Sequence, residues 1–170
     1  MTAPATPEVL LRRLADLGIT TTTICHPPAH TVDDLLPHVG GLPGVHLKNL
    51  FLCDAKKKMW LVVAPVNRRI DLKRLPDIIG SARQSFGSAD RLRRTLGVEP
   101  GSVTPFAVIN DPGAEVQVVL DAWMMTQPTL NAHPLINTQT TSIASGDLLR
   151  FISACGHRPQ IVDLVRAAPA

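Results

Sequence analysis

Lys48 and Asn49 stand side by side at the head of an otherwise apolar run, residues 50–53. The run is too hydrophobic for a surface loop and too short for most helices, so it reads as a buried strand. A lysine at the mouth of such a strand is costly to desolvate, and its pKa is easily moved. It needs an anionic partner or a polar cleft, unless its stem simply snorkels to water. His133, Asn137 and Thr140 likewise interrupt strand-like sequence. Together these residues admit two readings: a satisfied buried hydrogen-bond network, or a pocket for a small ligand with a charged or hydroxylated end. The chain has no Gly-x-Ser-x-Gly elbow, no metal-binding histidine pair and no Walker-type phosphate loop. That argues against serine hydrolases, zinc enzymes and nucleoside triphosphatases. What remains is chemistry done by positioning and electrostatics.

The elements that must hold these residues follow in order. Thr6, Pro7 and Glu8 open a helix with Leu10, Leu14 and Leu17 on one face and Gly18 at its end. Residues 19–25 are rich in β-branched side chains and read as a strand, stopped by His26-Pro27-Pro28. Thr31 and Asp34 resemble a capping pair for a short helix, and residues 39–44 form a loop into the lysine strand. A polar turn at 54–58 and an apolar strand at 59–64 complete a hairpin. Asp71 caps a helix toward Gly80, bent or shortened by Pro76. Residues 82–86 are a short strand. Ser88 caps a helix carrying Arg91, Arg93 and Arg94, and Gly97 closes it. After the 100–105 loop, residues 106–110 and 116–120 read as strands joined by Asp111-Pro112-Gly113, so antiparallel pairing is expected. Residues 131–144 are strand-like. Ser145 and Asp147 start a last helix that ends at Gly156, and residues 160–162 add an edge strand. The expected architecture is mixed α/β: a curved, barrel-like mixed sheet with helices packed outside.

At 170 residues a single domain over 1–170 is expected. The core must be aliphatic, because aromatics make up only 4% and tyrosine is absent. A net charge of +3 is compatible with a polyanionic partner without requiring one. Cys25, Cys53 and Cys155 are far apart and odd in number, which points to buried structural thiols rather than disulfides or zinc. No metal and no cofactor is expected. Residues 1–7 lack a basic region followed by an apolar run, so no signal peptide is expected. No apolar run approaches membrane-spanning length, and the expected location is cytoplasmic.

Three motifs occur in order: Lys48-Asn49-Leu50-Phe51-Leu52, Gly101-Ser102-Val103-Thr104-Pro105, and His133-Pro134-Leu135-Ile136-Asn137 through Thr140-Thr141. With their spacing and flanks they resemble the free-standing prolyl-tRNA editing proteins of the YbaK/ProX type, in particular the branch that deacylates mischarged alanyl-tRNA for proline. The resemblance runs from the first helix to about Val162. It implies an aminoacyl-tRNA hydrolase whose catalytic residues are Lys48 and Gly101. Lys48 would orient the 3′ end and stabilise developing negative charge. Gly101 would offer a backbone N–H or a close approach. Asn49, Phe51, Ser102, Thr104, Pro105, His133, Asn137 and Thr140 would bind substrate, with His133 either touching it or bracing the loop.

The implied partner is the acceptor end of a mischarged proline tRNA, with prolyl-tRNA synthetase or an elongation factor as transient partners. Neither a membrane nor DNA is expected. Arg83, Arg91 and Arg94 are candidates for the tRNA backbone, with a solvated helix face as the simpler reading. Leu47 stands where the family usually has a small residue or threonine, and Ala132 and His30 where aromatics are common. These departures bear on pocket size. The alternatives are the same fold acting on a cysteinyl or seryl ester, and a non-catalytic module that holds a tRNA acceptor end.

Overall fold

Thr6 caps the first helix, α1 (Pro7–Asp16), by accepting the Val9 N–H at 3.2 Å. Its buried Leu10 and Leu14 press on the sheet. In the computed structural model, which describes residues 3–29, 31–39 and 41–165, β1 (Thr21–Cys25) and α2 (Val32–Val39) follow. The expected Thr31 cap is present, its Oγ1 accepting the Asp34 N–H at 3.1 Å. Then come the hairpin strands β2 (Val45–Asp54) and β3 (Met59–Pro65). Strand β3 is apolar along its length because both its faces are covered. Leu61 and Val63 enter the main core, while Trp60, Val62 and Ala64 enter a second core on the opposite face.

Next are α3 (Leu75–Ile79), β4 (Gln84–Phe86) and α4 (Ala89–Leu96). The helix expected from Asp71 shrinks to five residues. Asp71 instead accepts the Lys73 N–H at 3.0 Å in a preceding turn, and Pro76 falls in the helix's first turn, where a missing N–H costs nothing. Helix α4 is as expected: Ser88 Oγ accepts the Arg91 N–H at 3.1 Å, and Gly97 ends it in the left-handed conformation.

Two expectations fail between residues 105 and 121. Residues expected as a strand are a 3-10 helix, Pro105–Asn110, started by Pro105 and capped by Thr104 Oγ1 on the Phe106 N–H. An apolar run this short carries no periodicity that separates the two. The following strand, β5 (Val116–Asp121), therefore has no hairpin partner before it. It pairs in parallel with β3 and with the last strand, β8 (Gln160–Val162), rather than antiparallel.

The 131–144 segment divides. β6 (Thr129–Ala132) and β7 (Gln139–Ala144) pair antiparallel about a turn at 133–138, before α5 (Ser145–Ala154). The mixed sheet runs β1-β7-β6-β2-β3-β5-β8, with β4 also on β2. Cys25 is exposed rather than buried, because β1 is the edge strand at that end. Cys155 is half-buried, and burial pushes its thiol up to about 11.

Strand β2 organises the molecule, and Lys48 lies in its middle rather than at its mouth. On one side it pairs with β3 from Leu47 to Cys53. On the other, Val45 and His46 meet β6, and Leu52 to Asp54 meet β4. Between those two partners the sheet has a gap alongside residues 47–50. The His46 carbonyl accepts from Val66 on the β3 side and the Phe51 carbonyl from Gly87 on the other. By alternation the Asn49 peptide faces the gap.

Candidate active site

A cavity of about 180 Å³ opens beside that gap, lined by Leu47, Lys48, Asn49, Gly101, Val103 and His133, with Ala29, Thr31, Leu35 and Val66 closing it. Three sequence motifs from distant parts of the chain thus meet at one place. Lys48 is half-buried, and burial pushes its ammonium pKa below the ordinary value. Its Nζ donates to the Arg68 carbonyl. Among the described residues it has no carboxylate within ion-pair distance. A cation so placed keeps its charge for a ligand. Asn49 lines the same cavity, and its Oδ1 is buried without a hydrogen-bond partner, an orphan acceptor.

Gly101 has φ +91, a conformation that side-chain-bearing residues avoid, and it is exposed at the loop tip. The rigid base of that loop is Thr104-Pro105. Thr104 is fully buried and its hydroxyl caps the 3-10 helix, while Pro105 is that helix's first residue. Both hold the loop in place and neither lines the cavity. Ser102 is buried on the far side of Gly101, its N–H on the Glu99 carbonyl at 2.9 Å.

His133 borders the cavity. Its Nδ1 lies 3.0 Å from the Gln139 carbonyl, which can only accept, so Nδ1 carries the proton and Nε2 is the acceptor in the neutral ring. Burial pushes its pKa down, and the neighbouring His26 adds to this, while the Gln139 bond opposes it.

Other expected contacts lie elsewhere. Phe51 is buried in the main core, on the face of β2 that packs against Leu61 and Val63. Thr140 is buried, with its hydroxyl 2.9 Å from His26 Nε2. Asn137 lines a separate hollow, and its carbonyl accepts from Ala29 at 3.2 Å. Ala132 is buried opposite Thr141, so its small side chain leaves the cavity wall untouched, whereas Leu47 forms part of that wall. His30 lies outside the described residues. Arg94 pairs with Asp90 at 2.9 Å, Arg91 donates to Cys53 Sγ at 3.3 Å, and Arg83 is exposed. Arg91 sits beside Cys53, five residues along β2 from Lys48, or roughly 17 Å by strand rise.

The residues that sequence reasoning missed are His26, Val66 and the Arg68 carbonyl. His26 was legible only as part of a strand stop, and the other two have no chemical signature. His46 is a further surprise. Both its ring nitrogens are buried without a hydrogen bond of ordinary geometry, and burial lowers its pKa despite the nearby Val39 carbonyl.

A half-open cavity with one unpaired cation, one orphan acceptor and a glycine loop defines a positioning site rather than a nucleophile site. Residues 26–151 match the aminoacyl-tRNA editing domain model, and the chain belongs to that family. Membership carries the class of enzyme that the motifs imply, an aminoacyl-tRNA hydrolase. The chain is 36% identical over 162 residues to the prolyl-tRNA editing protein ProX of Acetoanaerobium sticklandii, covering 92% of this chain and 96% of that one. It is also 36% identical to the prolyl-tRNA synthetase associated domain-containing protein 1 of Bos taurus, over 91% of this chain and 92% of that one. Solved structures share the fold. A candidate trans-editing enzyme for prolyl tRNA synthetase superposes with TM-score 0.68 at 16% identity, covering 95% and 99% of the two chains. A scaffold used in computational epitope grafting gives TM-score 0.74 at 19% identity, covering 95% and 97%. Among the described residues no helix is long and apolar enough to cross a membrane.

Proposed function

We propose that this protein acts in trans on proline tRNA mischarged with alanine, hydrolysing the aminoacyl ester and sparing prolyl-tRNA. The observation that carries this reading is the small cavity in which Lys48, Asn49, Gly101 and His133 converge. Water adds to the ester carbonyl, the carbonyl–ribose bond breaks, and free alanine and the tRNA 3′ hydroxyl leave. The ester is already activated, so the site need only hold it, polarise it and admit a water. Lys48 draws in the anionic acceptor end and offsets the negative charge that develops on the carbonyl oxygen. A compact ammonium suits that task. The Gly101 N–H is a second donor to the same oxygen. Asn49 Oδ1 accepts from the substrate's ammonium or ribose hydroxyl, and neutral His133 Nε2 accepts a proton in transit.

Selectivity follows from volume. Leu47 narrows the cavity where a smaller residue would widen it. A methyl side chain enters, and the proline ring overlaps the wall. Exclusion by overlap discriminates better than the roughly 1–3 kcal/mol available from one added methylene.

The test is deacylation of proline tRNA charged separately with alanine, proline, cysteine and serine, with Lys48→Ala alongside. Loss of alanine alone, abolished in the variant, is the expected result. Preference for cysteine or serine would keep the chemistry and move the specificity. Binding of tRNA without hydrolysis of any ester would replace the enzyme with a binding module.

A further inference from the structure

Three neighbouring strands, β3, β5 and β8, run parallel and end at one edge of the sheet. Just past each end the chain supplies one residue to a common cluster: Arg68 after β3, Trp123 after β5 and Asp163 after β8. The Arg68 guanidinium carbon lies 4.9 Å from the centroid of the Trp123 ring, within cation–π range, and its Nη1 is 3.9 Å from Asp163 Oδ1. The carboxylate is mostly exposed and the ion pair is long, so the ring is the stronger hold. Buried Asp121, at the end of β5, fixes the backbone beside both partners. Its Oδ2 accepts the Met124 N–H at 3.0 Å, next to Trp123, and its Oδ1 the Leu164 N–H at 3.3 Å, next to Asp163. Trp123 is 42% exposed, so core packing does not account for it.

The backbone of Arg68 reaches the reaction cavity, where its carbonyl accepts from Lys48 Nζ. The turn that carries it is fixed by the Val66 N–H on the His46 carbonyl at 2.9 Å and the Arg68 N–H on the Pro65 carbonyl at 3.0 Å. Both bonds precede the peptide that bears the Arg68 carbonyl, so the anchored side chain sets that peptide's direction. A lysine head on a flexible four-carbon stem needs such a fixed acceptor. A reacting group displaced by about 1 Å can lose about 100-fold in rate. We infer that Arg68 is a positioning residue for Lys48, held by Trp123 and Asp163, so that a guanidinium stacked outside the cavity sets where the ammonium sits within it. The inference rests on the editing reading and adds three residues that do not line the cavity.

Trp123→Ala should lower kcat for alanyl-tRNA about tenfold while KM stays within about twofold, and Trp123→Phe, which keeps a ring face, should recover most of the loss. An unchanged kcat, or a raised KM at unchanged kcat, would overturn the inference; the second result would make the Arg68–Trp123 pair a tRNA contact. Circular dichroism checks the variant's fold, and Arg68→Gln, read in the same way, replaces it if it fails to fold. A second readout needs no turnover. Lys48 is the one lysine that is not exposed, the other four being Lys56, Lys57, Lys58 and Lys73. In nuclear magnetic resonance of isotope-labelled lysine ε-carbons, its signal should stand apart from the other four and move toward them in Trp123→Ala. A Lys48 signal that is the same in both proteins would overturn the positioning role. If the unmodified protein hydrolyses no ester, the editing reading falls, and the ε-carbon signal still decides whether Arg68 positions Lys48.

Discussion

His26 Nε2 lies 2.9 Å from Thr140 Oγ1, across the β1–β7 edge of the sheet. His26 Nδ1 lies 2.9 Å from the Pro27 carbonyl and must donate to it, so in the neutral ring Nε2 accepts from the threonine hydroxyl. The His26 and His133 ring centroids are 6.2 Å apart. Thr140 therefore bears on the neighbour of a cavity residue. Thr140→Val keeps the shape and removes the donor. It should cost about 1 kcal/mol of stability, read from urea unfolding at unchanged m-value.

Lys48→Arg should not restore activity. The guanidinium is planar and larger, and the Arg68 carbonyl and the small cavity are matched to an ammonium. Turnover should fall about 100-fold or more, the scale of losing one charge-stabilising donor. Retained tRNA binding in a filter assay separates this from loss of fold.

His133 titrates below the ordinary histidine value because burial disfavours its charged form. The neutral ring is the working form in the proposed mechanism, so the acid limb of the rate profile should lie below about pH 6.5. His133→Gln should abolish that limb. A limb at or above the ordinary value, or one that survives the substitution, would remove His133 from proton transfer.

Much of this site was legible in the sequence, and the reason is chemical. A lysine in the middle of an apolar strand, a glycine–proline loop and a His-Pro turn each carry a signature that physics makes uncommon by chance. The motif residues that do not line the cavity were legible too, but their structural work was not. Phe51 shares a face of β2 with Asn49 but is buried in the main core, and Thr104 is consumed by a cap. Spacing along a chain does not say which neighbour a hydroxyl will satisfy. The parallel β3–β5 pairing was illegible for a similar reason. It is set by a crossover through α3, β4 and α4, and a short apolar run at 106–110 gives no hint that it coils.

Asp54 offers a stability test at the other end of β2. Burial pushes its carboxyl pKa up, but the Trp60 indole at 3.1 Å and the Lys58 and Lys56 N–H groups at 3.0 and 2.9 Å outweigh it and hold the pKa below the ordinary value. A folded-state pKa below the unfolded one stabilises the protein above the unfolded value, and that stability is lost as pH falls through the folded value. Unfolding curves should therefore weaken as pH drops below about 4. In Asp54→Asn that part of the pH dependence should disappear, with lower stability at neutral pH.

The arginine cluster has a salt signature. If Arg83, Arg91 and Arg94 touch the tRNA backbone, replacing all three by glutamine should flatten the slope of log affinity against log salt. The change on a duplex stem is about 0.9 for every phosphate no longer neutralised. An unchanged slope assigns the three arginines to a solvated surface.

The cavity gathers residues from the first third, the middle and the last quarter of the chain, and Thr23 meets Thr141 at 2.8 Å although they are 118 positions apart. No fragment released early from the ribosome contains a working site. Editing capacity appears only when synthesis is nearly complete and its most distant strands have found each other, a slow kind of closure.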